Sequence, residues 1–253
     1  MKPLSAFCIA VIIYGGAVAQ GSHFSVGFGY GFPAGDRLGI SEQNNVEKNI
    51  TGSFGKGLTI GLNTGYMVND NVGLDLGIWY VMGATYKVES GNGSNGSDTH
   101  LASGNTLRIM PAAKIKGGKL NRPYVKFGPL LGISTTLNDD ETFTSPQTTV
   151  YANHKYTGGT SFGWTGAFGI DFSEDQNTSI FLEINFCHQV FKPSLEIISI
   201  AGQDDDRFTL VDEPNPNDPD EKLRPTFPFS TVTVSAGVKF SSFRKKKDTA
   251  GAK

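Results

Sequence analysis

Seven charged side chains lie inside stretches that otherwise alternate large apolar residues with small ones: Asp75, Arg108, Lys114, Lys126, Asp171, Glu183 and Lys239. Charges so placed can pair and fill a narrow interior, line a polar conduit for ions or a small solute, or serve as acid and base in catalysis. An unpaired charge away from water is costly, so mixed signs sharing one interior are expected to pair. Catalysis would need a base beside a nucleophile. His188 follows Glu183 by five residues, and in a strand that odd spacing puts the two on opposite faces. His100 and His154 lie among Ser, Thr and Asn, where a hydroxyl neighbour carries little information. The acidic runs 138–141 (NDDE) and 204–206 (DDD) could gather calcium, but neither has the ligand spacing of a calcium loop, and both are expected to be solvated. No enzyme, cofactor or metal site is expected from these patterns.

The elements that position the seven charges show a period of two. The run HFSVGFGYGF (23–32) carries Phe24, Val26, Phe28, Tyr30 and Phe32 at every second position, with Ser25 and three glycines between. A strand built from it has one large apolar face and one nearly bare face. The alternation recurs at 58–66, 72–80, 107–115, 124–133, 161–172, 180–187 and 231–240. Eight strands of about nine to twelve residues follow, the length a tilted strand needs to cross a bilayer. By parity, all seven charges fall on the face opposite the apolar one.

The connections alternate in length. Three are short, at 68–71 (VNDN), 117–122 (GGKLNR) and 173–177 (SEDQN), and four are long and polar, at about 34–56, 86–105, 135–158 and 191–226. This is the asymmetry of outer-membrane barrels, with tight periplasmic turns and long outer loops. Hydrocarbon satisfies no backbone polar group, so strands cross it only as a closed sheet. The predicted fold is all-β: an eight-stranded antiparallel up-and-down transmembrane β-barrel, apolar toward lipid, with an interior just wide enough for side chains. Pro111 and Pro129 are each nine residues from Leu120, which predicts that they face each other across a hairpin at a bulge or an unbonded site. The run 90–98 (SGNGSNGSD) predicts a flexible loop.

The chain of 253 residues has a net charge of −2 and 32 glycines. Its mean hydropathy of −0.21 resembles that of a soluble protein, as expected where only alternate residues meet lipid. Met1-Lys2-Pro3, the apolar stretch 7–19 and Ala17-Val18-Ala19 have the form of a cleaved signal peptide over 1–19. Its removal leaves Cys187 without a partner for an intramolecular disulfide. It also takes Lys2, leaving a charge of −3 and no suggestion of a nucleic-acid partner. The barrel is expected over 20–243, with 244–253 as a basic, disordered periplasmic tail.

The segments TLRIMPAAKIKGG (106–118), RPYVKFGPLLGIS (122–134) and IFLEINF (180–186) resemble the outer-membrane beta-barrel domain family common in Bacteroidetes. That resemblance implies a small OmpA-like or PorT-like barrel in the outer membrane of a Gram-negative bacterium, with a location better defined than a task. The last strand, VTVSAGVKF, looks like the signal read by the barrel-assembly machinery, with Gly237 and Phe240 as its key residues, although Ser241 to Lys253 follow it. The expected partners are outer-membrane lipid, that machinery during biogenesis, and an envelope or extracellular partner reached through the loops. The expected role is structural and surface-interacting, with the interior plugged by paired charges. A narrow solute channel and an accessory role in protein secretion are the alternatives.

Overall fold

The computed structural model describes residues 21–34, 37–43, 46–92, 96–118, 121–145, 147–172 and 178–241. The expected signal peptide and the basic tail lie outside the described residues. Every described element is a strand: β1 (Ser22–Pro33), β2 (Arg37–Gln43), β3 (Val46–Thr51), β4 (Gly57–Met67), β5 (Val72–Gly83), β6 (Tyr86–Asn92), β7 (Gly96–Lys116), β8 (Arg122–Thr144), β9 (Thr149–Thr157), β10 (Thr160–Phe172), β11 (Thr178–Lys192), β12 (Leu195–Ile200), β13 (Asp206–Val211), β14 (Glu221–Leu223), β15 (Phe227–Pro228) and β16 (Thr231–Ser241). The pairings run antiparallel through β1, β4, β5, β7, β8, β10, β11 and β16, and β16 pairs back onto β1. This circuit has no edge strand.

The strand count differs from the eight expected. Sixteen lie among the described residues, because much of the long polar connections is itself strand. β7 and β8 continue past the ring to lengths of 21 and 23 residues, roughly twice what a bilayer crossing needs. β6 pairs with the extension of β7, and β9, β12, β13 and β14 continue the sheet from β8. Of the predicted flexible loop 90–98, residues 90–92 belong to β6 and 96–98 to β7, which pair from Tyr86↔Ala102 to Asn92↔Gly96, and 93–95 lie outside the described residues. At its two ends the small polar residues are strand residues, because such residues are also compatible with pairing to a long neighbour.

In the ring, burial alternates as the period of two requires; β5 alternates between exposed and buried almost throughout. Phe28, Leu74, Phe127 and Ile180 are exposed on the outside, whereas Trp79, Tyr124 and Phe181 are buried inside. Pro111 and Pro129 sit on β7 and β8, within a gap in the ladder between Ile109↔Leu131 and Ala113↔Phe127. Register is the same on either side, so the prolines interrupt bonding without a bulge. The bulge comes higher, between Asn105↔Thr136 and Leu107↔Ile133, where Ser134 takes φ 51°.

Candidate functional site

The interior next to the short turns holds most of the seven predicted residues. Asp75 lies within ion-pair distance of three groups: His23 Nε2 is 2.8 Å from Oδ1, and Lys126 Nζ and Lys114 Nζ are 3.1 and 3.4 Å from Oδ2. Lys126 also reaches Glu183 Oε2 at 2.8 Å, and the Tyr124 hydroxyl donates to the same oxygen at 2.9 Å. Lys239 and Lys116 meet Asp171 Oδ2 at 2.7 and 3.0 Å. Lys114 stands over the Tyr124 ring, 4.2 Å from its centre. These groups are almost fully buried, so each charge depends on the partners the barrel supplies. The spaces left between the interior side chains measure about 10 to 20 Å³, room for one water each at most.

Two glycines let this network form. His23 on β1 and Asp75 on β5 are not on adjacent strands: Gly65 of β4 pairs with both. A Cβ at Gly65 would lie 2.2 Å from Asp75 Oδ1, so the His23–Asp75 contact passes over a position that has to be bare. Gly169 of β10 stands likewise between Tyr124 and Glu183, and a Cβ there would lie 2.4 Å from the Tyr124 ring. Glycine in these strands clears a path for bonds between next-but-one neighbours.

Arg108 does not join the charges, which corrects its expected place among them. It lies six residues from Lys114 along β7, about 20 Å at roughly 3.3 Å per residue. Its partners are neutral: Nε donates to Gln189 Oε1 at 2.8 Å, Nη1 to Thr231 Oγ1 at 3.1 Å, and Nη2 to the Phe229 carbonyl at 2.7 Å. Through that carbonyl it holds the segment that closes the long-connection end. There Phe229 packs against Phe54 and Phe191 with ring centres 6.1 and 5.9 Å apart, joined by Leu137 and Ala102. None of this aromatic cap was predicted, because Phe54 lies in a connection and Phe229 between a connection and the last strand, where the sequence shows no period.

His23, Lys116 and Tyr124 are the members of the network that the candidate list lacked. Parity was the available signal, since His23 shares its phase with Ser25 and Gly27, and Lys116 with Lys114. His188 faces outward and meets Ser230 Oγ at 3.1 Å through Nδ1, well apart from Glu183. Gly237 pairs with Gly27, and Phe240, opposite Phe24, points outward at the end of β16.

A second cluster lies on the extension beyond the ring. His100 Nδ1 and Nε2 meet Asp139 Oδ2 and Asp98 Oδ2, each at 3.1 Å. Partial burial opposes the imidazolium, but the Asp139 and then the Asp98 carboxylates outweigh it and raise the pKa of His100 above 6.5. His154 lies between Glu141 at 3.1 Å and Glu196 at 3.0 Å, and Lys222 also contacts Glu196 at 3.0 Å. Burial would raise the pKa of Glu196, but hydrogen bonds from His154 and Lys222 bring it below its ordinary value.

The outer membrane protein beta-barrel domain family matches residues 18–191. The chain belongs to that family. Its closed ring and apolar exterior are thus those of an outer-membrane β-barrel protein, located in the outer membrane of a Gram-negative bacterium. No curated protein matches the chain. Among solved structures, this barrel is similar to the attachment invasion locus protein Ail of Yersinia pestis at 13% identity, covering 88% of this chain and 100% of Ail, with a TM-score of 0.35. A major outer membrane protein of Thermus thermophilus is 11% identical over 87% of this chain and 98% of its own, with a TM-score of 0.46. The outer membrane protease OmpT of Escherichia coli is 6% identical over 87% and 96%, at a TM-score of 0.42.

Proposed function

We propose that this protein is a non-enzymatic, structural and surface-interacting outer-membrane barrel with an eight-stranded wall and a closed interior. Segment 1–19 directs its export, the short turns face the periplasm, and the strand extensions stand outside. The barrel-assembly machinery reads β16 through Gly237 and Phe240, and an envelope or extracellular partner meets the extensions. The observation that carries this reading is the filled interior: paired charges at one end, the Phe54–Phe191–Phe229 cap at the other, and water-sized voids between. Eight strands leave no open channel once their inward side chains are packed. The length of β7 and β8 beyond a bilayer crossing supports an outward-facing role.

The test is single-channel conductance of the refolded mature chain in a planar bilayer, with heat-modifiability on a gel as the folding control. A folded barrel without steady conductance is expected. Stable, ion-selective steps would replace this reading with the narrow channel, and Asp75, Lys126 and Glu183 would then be its lining.

A further inference from the structure

We propose that Asp98, His100 and Glu141, on one face of the β7–β8 extension, bind a divalent transition-metal ion, with zinc the best match to their donors. Asp98 and His100 are two residues apart on β7 and so share a face, and His100 pairs directly with Glu141 on β8. One donor atom from each lies within 4.8 Å of the other two. Tetrahedral zinc, with bonds of about 2.0–2.1 Å, places its donors roughly 3.3 Å apart. Side-chain rotation alone closes that difference, because these residues are only partly buried.

The cluster as it stands has unmet needs. Asp98 Oδ1 and Asp139 Oδ1 are shielded from water and have no hydrogen-bond donor, while the partner oxygen of each carboxylate is on His100. Both ring nitrogens of His100 face carboxylate oxygens, and only a doubly protonated ring can donate to both. A dication bound to one nitrogen in place of its proton answers the surrounding carboxylates more fully, and binding releases that proton. The donor set also selects. An imidazole with carboxylates suits zinc and its neighbours, the absence of a thiolate disfavours soft ions, and calcium prefers oxygen donors throughout. The site needs only to be reachable from outside, and it is independent of whether the interior is closed.

The test is calorimetric titration of the refolded mature chain, made without a polyhistidine tag, with zinc chloride and separately with calcium chloride. One zinc per chain is expected, bound more weakly as the pH falls and more tightly than calcium. His100→Ala and Glu141→Gln each remove a donor and should weaken binding by at least about tenfold, no less than loss of a group behind a ligand costs, and His188→Ala, outside the cluster, should weaken it by less than about twofold. Gel heat-modifiability establishes that each variant is folded. If His100→Ala does not fold, Glu141→Gln on the other strand makes the same test. No saturable zinc uptake, undiminished uptake by a folded His100→Ala or Glu141→Gln, or an equal loss in His188→Ala would overturn the assignment. Calcium binding as tight as zinc would overturn it as well.

Discussion

The barrel contains two histidine–carboxylate clusters of similar chemistry in opposite surroundings. At the short-turn end, His23 meets Asp75 at 2.8 Å with side-chain exposures of 4% and 3%. On the extension, His100 meets Asp98 at 3.1 Å with exposures of 31% and 28%. The inner pair sits beneath Gly65 with two lysines on the same carboxylate, and no member can change partners without breaking another contact. The outer pair can exchange its partners for water or an ion. Burial and crowding, more than residue type, separate a structural cluster from one available to a ligand.

The contrast is tested most severely by removing one carboxylate from each cluster. Asp75→Asn leaves Lys114 and His23 without their carboxylate inside the wall and should cost about 3–5 kcal/mol of stability. Asp98→Asn, on a partly exposed side chain, should cost less than about 1 kcal/mol. Urea unfolding of the refolded barrels measures both, and equal losses would erase the distinction. A smaller effect is expected of Gly65→Ala. Its new methyl would fall against Asp75 Oδ1 and His23 Cε1, forcing them apart at about 1–3 kcal/mol. Unchanged stability would mean that the glycine path is not needed.

The mildest test is pH. His100 has its folded pKa raised above 6.5, so its contribution is complete below that value and is lost as pH rises through the folded pKa. The groups facing it are Asp98, Asp139 and Glu141. Amide exchange protection in the β7–β8 extension, corrected for the intrinsic rate, should therefore decline on the alkaline side, while the ring around Asp75 stays protected. A decline shared by both regions would contradict the separation.

How much of this could be read beforehand depended on the environment of each segment. Asp75, Lys114, Lys126, Asp171, Glu183 and Lys239 could be assigned inward, because lipid on one side forces apolar residues to every second position and leaves the other phase for the interior. Beyond the membrane nothing imposes that period. The strands of the extensions thus read as polar loops, and His100 and Glu141, 41 residues apart in sequence, gave no sign that they would face each other.

The alternation in this sequence therefore determined that the chain crosses a membrane as strands, and which face of each crossing strand meets lipid. Only the tertiary structure decided which charges meet. Parity specifies a face but not a height or a neighbour, and strand register sets both. Register brings His23 to Asp75 across Gly65, takes Arg108 to Gln189 and the Phe229 carbonyl, and lays His100 opposite Glu141.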